Sequence, residues 1–178
     1  MDNTGNNYLE NSRKLFRYYK SVGDAAMERT TTEGLHWQYN AGSNSIATIA
    51  KHMAGNSLSR WTDFLTTDGE KNWRDRDDEF EDTIQTKEEL LELWNKGWQC
   101  LFDAIDALTD ADLMRTVYIR GQAHTVIEAI NRQLAHLPYH TGQMVLIAKM
   151  LAGENWVSLT IPKGESKKFD QVKFLDKK

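Results

Sequence analysis

Apolar residues recur with a helical period along most of the chain. Leu15, Tyr19, Val22 and Ala26 are spaced by four, three and four, so they share one face of a helix predicted over residues 7–29. Thr30-Thr31-Thr32, Gly34 and Gly42 then favour a connection. The period resumes at Ile46, Ala50, Met53, Trp61 and Phe64, and Ser45 can cap this helix because its hydroxyl can accept an orphaned backbone N–H. A second helix is therefore expected over 45–65. Charges dominate 66–82, where Trp73 and Phe80 are the apolar anchors of what reads as a long ordered loop. Leu91, Trp94, Trp98, Leu101, Ile105 and Leu108 alternate steps of three and four behind the capping-box pair Thr86 and Glu89, which predicts a third helix over 86–108.

The run Thr116-Val117-Tyr118-Ile119 is β-prone and predicts an extended segment or a small hairpin. Thr125 and Glu128 form another capping box, opening a fourth helix over 125–152 marked by Ile127, Ile130, Leu134, Leu137, Met144 and Ala148 and ended by Gly153. Pro138 inside it removes a hydrogen bond and crowds the carbonyl four residues back, which predicts a kink near Leu134. The fold class expected is all-α: a four-helix bundle with long loops and a short extended C-terminal segment, its tail from about 164 to 178 flexible.

Composition narrows the function. At 178 residues and 40% hydrophobic content the chain can bury one core, so residues 1–178 are expected to form a single domain. A net charge of -4 disfavours nucleic acid, whose phosphates call for a concentrated basic surface. Cys100 is the one cysteine, which excludes an intrachain disulfide or a cysteine-based metal site and fits a reducing compartment. The polar N-terminus lacks the pattern of a signal peptide and no run approaches ~20 apolar residues, so a cytoplasmic location without membrane insertion is expected.

His136 and His140 are four apart and project from one side of the fourth helix, close enough to share a metal ion. A helical wheel puts Gln133, His136, His140 and Gln143 on a strip beside the apolar stripe, and Thr48, His52 and Asn56 on an equivalent strip of the second helix. Both strips could flank one cleft, where three neutral imidazoles would leave coordination positions for water or substrate. The competing reading is a solvated polar face. Other templates fit worse: Leu137-Pro138-Tyr139 between the histidines places no glutamate as base, Glu33 and His36 fall in a loop, and no phosphate loop occurs. Asp63, Asp77 and Glu79 are candidate bases that spacing cannot choose between. His36, His124, Trp37 and Tyr39 are expected to pack and not to line a substrate pocket. Arg74 and Arg76 are expected to be satisfied in place by Asp75, Asp77, Asp78 and Glu79, and Cys100 to be inert.

Five stretches carry a family resemblance. His52 within Ile49-Ala50-Lys51-His52-Met53-Ala54-Gly55-Asn56, and His136 and His140 followed by Thr141-Gly142-Gln143, make the chain resemble the DinB/YfiT-like superfamily. Ser59-Arg60-Trp61-Thr62-Asp63-Phe64, the loop from Gly69-Glu70-Lys71 through Arg74-Asp75-Arg76-Asp77 to Glu79-Phe80, and Leu159-Thr160-Ile161-Pro162-Lys163-Gly164 resemble one uncharacterised branch of it. The resemblance implies a four-helix bundle with a divalent metal on the triad His52, His136 and His140, often as a homodimer, in metal-dependent thiol transferases, isomerases or hydrolases. Zinc or nickel is the metal expected, with iron or manganese also compatible. The partner expected is a small-molecule substrate, such as a low-molecular-weight thiol. Two function classes follow: an enzyme that uses the metal to activate water or a thiol, and a non-catalytic bundle that binds a metal or ligand.

Overall fold

The structure is a computed structural model and describes residues 4–168. It is mostly helical, with α1 (Thr4–Glu28), the short α2 (Thr32–Leu35), α3 (Ile46–Trp61), α4 (Lys87–Asp106), β1 (Thr116–Ile119), β2 (Gln122–Thr125) and α5 (Val126–Ala152) in chain order. The extended alternative at Thr116 resolves as an antiparallel hairpin pairing Thr116 with Thr125 and Ile119 with Gln122. After the turn at Gly153–Asn155 the chain runs irregularly from Trp156, and residues 169–178 of the expected flexible tail lie outside the described residues. Among the described residues no helix is long and apolar enough to cross a membrane.

Helix starts follow local chemistry. The Ser45 hydroxyl accepts from Thr48 N at 3.1 Å while Ser45 N donates to the Thr48 hydroxyl at 2.9 Å, a reciprocal box built with threonine where glutamate is usual. Thr125 and Glu128 form the box expected of them. Thr86 accepts from Glu89 N at 3.1 Å, but the Glu89 carboxylate takes the N–H of Gln85 at 3.0 Å, one residue earlier than in a reciprocal box.

Helix ends and faces depart more from expectation. Helix α3 stops at Trp61 and not at 65, because Thr62 is extended and Asp63 takes a left-handed φ of 49°. Helix α5 runs unbroken through Pro138, with Ile130, Leu137 and Met144 buried on both sides of the proline to hold it. In α1 the buried residues are Leu9, Ser12, Phe16, Gly23, Ala26 and Met27, whereas Leu15 and Val22 are half-buried. The stripe is rotated by about one residue because the larger Phe16 takes the core position beside Leu15.

Helices α4 and α5 pack on α3, and α1 packs on α4 and α5. Their buried side chains form one continuous cluster that includes Trp61, Trp94, Trp98, Leu101, Ile130 and Leu137. Nearly all of α3 is buried, its polar residues Lys51, His52, Asn56 and Arg60 included, because the 66–82 loop covers the side that the helices leave open.

Polar clips hold that loop. Ser59 Oγ donates to Gly69 O at 3.0 Å and accepts from Lys71 N at 3.1 Å. Lys51 Nζ donates to Thr83 Oγ1 at 2.8 Å and pairs with Asp78 at 2.8 Å. Asp68 accepts from Glu70 N at 2.7 Å, Arg120 N at 2.8 Å and Gly121 N at 2.7 Å, tying the loop to the hairpin tip. That tip needs positive φ at Arg120 (55°) and Gly121 (71°), the second of which glycine adopts without strain. Trp73, expected as an anchor, is 61% exposed, because hydrogen bonds and not apolar contacts seat this part of the loop.

Desolvation alone would raise the Asp68 carboxyl, but the N–H groups of Gly121, Glu70 and Arg120 outweigh it and hold the group below its ordinary 3.8. A depressed folded-state value means that the stabilisation is complete above pH 3.8 and is lost as pH falls through the lower folded value. Asp68→Ala is expected to speed amide exchange at Arg120 and Gly121 at neutral pH while leaving α4 protected. Unchanged protection at the tip, read by hydrogen–deuterium exchange, would remove Asp68 as the tether.

Candidate metal centre

The polar strips of α3 and α5 meet. Ligand atoms of His52, His136 and His140 lie within 4.8 Å of one another, the group of that kind found among the described residues. The rings sit edge to face, with centroids 5.2 Å apart for His52 and His136, 4.9 Å for His52 and His140, and 4.7 Å for His136 and His140. One turn of α5 supplies the last pair, and the packing of α3 on α5 brings His52 to it. The strips also touch one turn away, where Gln133 Nε2 donates to Asn56 Oδ1 at 3.2 Å in a buried contact.

Second partners orient the rings. His52 Nδ1 lies 2.8 Å from Glu79 Oε2, and Arg74 holds the same carboxylate from Nε at 2.7 Å and Nη2 at 2.9 Å. Burial by itself would raise the Glu79 carboxyl, but Arg74 and then His52 outweigh it and keep it below its ordinary value, hence ionised. An ionised carboxylate can only accept, so His52 donates from Nδ1, and in the neutral ring that tautomer leaves the Nε2 lone pair facing His136. Phe80 stacks on the outer face of His52 at 4.6 Å. His140 Nδ1 lies 3.2 Å from Gln143 Oε1. Glu79 can approach because residue 55 is glycine: a Cβ there would overlap the carboxylate, coming within 2.8 Å of Glu79 Cδ.

Burial, reinforced by the charges of His140, His52, Arg60 and Arg74, pushes His136 down to about 3. Burial and then His52 also lower His140, against the hydrogen bond that its Nδ1 donates to Gln143 Oε1. Both rings are therefore neutral near pH 7, the form that ligates metals. The His52 and His136 Nε2 atoms are 3.2 Å apart, near the ~3.3 Å between two nitrogens bound at ~2.0–2.1 Å to one tetrahedral ion. A carboxylate behind one imidazole, a side-chain amide behind another and lone pairs converging in front make a donor set that suits a borderline divalent metal.

The other sequence candidates separate clearly. Asp63 and Asp77 are exposed and stand apart from the triad, while Glu79 is spent on orienting His52 and is not an open base. His36 pairs with Asp82 at 2.8 Å, and His124 lies on β2; neither joins the triad. Trp37 and Tyr39 do line a cavity, a separate apolar one of about 490 Å³ that also touches Gln143. Cys100 faces Thr62 at 3.4 Å. Arg74 is paired in place by Glu79, one of the acids expected, through Nε and Nη2, while its Nη1 lies 3.6 Å from Glu70. Arg76 is not: it is exposed at a cleft and has no acidic partner among the described residues.

Residues 3–165 match the family described as Protein of unknown function (DUF1572). The chain belongs to that family. No curated protein matches this DUF1572 member. The triad, Glu79 and Arg74 all fall inside the matched span.

The Arg74 and Glu79 side chains are only 1% and 7% exposed, so neither charge has water as an alternative partner. Glu79→Gln strands the guanidinium and is expected to lower unfolding free energy by about 3–5 kcal/mol in urea titration. A loss below about 1 kcal/mol would show that the pair behaves like a surface ion pair.

Proposed function

We propose that this chain is a metal-dependent enzyme of the DinB/YfiT-like superfamily, in which α1, α3, α4 and α5 form the four-helix bundle and His52, His136 and His140 hold one divalent ion, zinc or nickel. The observation that carries this reading is the chain of contacts from ionised Glu79 to His52 Nδ1, with His52 Nε2 placed 3.2 Å from His136 Nε2. A buried ring held this way by an ion pair is arranged to ligate, and a solvated face would need no such support. Bound there, the metal would supply Lewis-acid activation of a water or a thiol, the chemistry of a hydrolase or a thiol transferase.

The chain's own residues do the positioning. Glu79 and Phe80 fix the His52 ring, and Gln143 fixes that of His140. A cleft of about 530 Å³ opens onto His52 and His136, large enough for a small molecule. Tyr139, Leu146 and Met150 are 65%, 57% and 52% exposed along one side of α5, an apolar stripe that supports pairing of two chains about a two-fold axis.

After stripping and reloading with zinc, the wild-type chain is expected to retain about one equivalent by elemental analysis, as are His36→Ala and His124→Ala. His52→Ala and His136→Ala should lose it, and Glu79→Gln should weaken affinity by about 10–100-fold through the mis-set His52 ring. A full equivalent in dialysed His52→Ala would remove the two-helix triad. Light scattering at micromolar concentration is expected to give twice the chain mass, and a monomer mass would end the dimer proposal.

A further inference from the structure

Arg60 is a buried charge without a counter-ion. It follows His52 and Asn56 in steps of four along α3 and is 5% exposed. Among the described residues no hydrogen bond or ion pair reaches it, and its Nη1 is buried without a partner. The acids that feel its charge are already engaged elsewhere: Glu70 by Arg120 at 3.2 Å and Arg74 at 3.6 Å, and Asp68 by the N–H groups of Glu70, Arg120 and Gly121. Desolvation, followed by the charges of Arg132, Arg74 and Arg120 and against that of Glu70, pushes Arg60 down to about 10, so it still carries its proton at neutral pH. Burying a guanidinium with no anion beside it is unfavourable, and a well-packed apolar side chain would serve the core better.

What surrounds Arg60 says what would complete it. It lines the cleft that opens onto His52 and His136, together with Arg76, Arg120 and Arg132, and no acidic residue lines that cleft. Four arginines and, among the described residues, no acid line the cleft in a chain of net charge -4, and of the four Arg120 alone has a carboxylate, Glu70, paired with it, so charge is locally segregated. Arg76 and Arg132 have no acidic partner among the described residues. Gly69, fixed by Ser59 and by Tyr118 O, packs closely on the Arg60 side chain: a Cβ there would come within 3.0 Å of Arg60 Cδ and 3.3 Å of Nη1. A desolvated fork with further guanidiniums at the rim is suited to a carboxylate or phosphate group.

We propose that this cleft binds the oxyanion group, carboxylate or phosphate, of a small molecule on Arg60, with Arg132, Arg120 and Arg76 around it and the rest of the molecule directed toward His52 and His136. The anion subsite stands on the arginines alone. Only the direction of the remaining molecule toward a reacting centre rests on the metal-dependent reading above.

Chelator-treated, metal-free protein in neutral, low-salt buffer separates the two ideas. Inorganic phosphate and succinate are titrated by calorimetry and by thermal melting. Saturable binding of either, near one per chain and with a rise in Tm, is expected; phosphate alone points to a phosphoryl group and succinate alone to a carboxylate. Arg60→Gln should weaken that binding about 10–100-fold while leaving Tm in anion-free buffer unchanged or raised, which a merely structural arginine would not do. Arg132→Gln, whose side chain is exposed, should weaken binding too and decides the matter if Arg60→Gln does not fold. No saturable binding by the wild type, or wild-type affinity in the folded variants, would overturn the proposal. A chain that binds the anion but retains no metal after reloading would keep this subsite and discard the metal centre; metal without anion binding would do the reverse.

Discussion

A carboxylate that is 5% exposed stays ionised only where other partners replace the water it has lost, and Glu79 has the Arg74 guanidinium and the His52 Nδ1–H donor. Much of the site's architecture depends on that exchange. The contact folds a strongly charged loop over α3, fixes the ring orientation and tautomer of His52, and brings Phe80 onto the ring face. It is possible only because Gly55 leaves room for the carboxylate against the helix. Lys51, one residue before His52, fastens the next part of the same loop to the same helix. Loop and helix are therefore one unit, and the face of α3 that would otherwise meet solvent becomes a buried polar wall.

Charge is sorted on the two sides of that wall. Behind His52 the acid and the base are matched: Glu79 against Arg74, Asp78 against Lys51. In front, the cleft has arginines and no acid. The neutral imidazoles of His136 and His140 sit at the boundary, kept unprotonated by burial and by neighbouring positive charge. A divalent cation on the three histidines would add to the positive charge of this cleft, so an anionic ligand would offset both the metal and Arg60. The proposed metal and anion sites would thus be complementary in charge although they use different residues.

The hairpin contributes to function through the loop. Asp68 takes the N–H groups of the tip residues Arg120 and Gly121, and Gly69 N donates to Tyr118 O. These bonds place Arg120 at the rim of the cleft and Gly69 over Arg60. A two-stranded hairpin is marginal alone; here it is braced by the start of α5, by the loop and by Val117 and Ile119 in the core.

Local chemistry made a large part of this legible in the sequence. Periodic apolar residues marked α3, α4 and α5, Ser45, Thr86 and Thr125 marked their starts, and the i, i+4 spacing put His136 and His140 on one side of a helix, because each of these depends on neighbours within a turn. The wheel also placed His52 on a strip able to face them, and the same steps of four that link His52 and Asn56 continue to Arg60, a signal open to a reader who extends the strip. Tertiary structure decided the rest. Leu15 and Phe16 each offered α1 an apolar stripe, and packing chose Phe16. Asp63, Asp77 and Glu79 were equivalent carboxylates until the fold of the loop took Glu79 inside and left the others in water. Arg74 and Arg76, two residues apart, went to opposite fates, one paired and buried, the other free at the cleft. Spacing along a chain fixes which side chains share a helix face. Whether a charged residue meets a counter-ion, water or a cleft depends on partners tens of residues away, and only the packed fold brings those together.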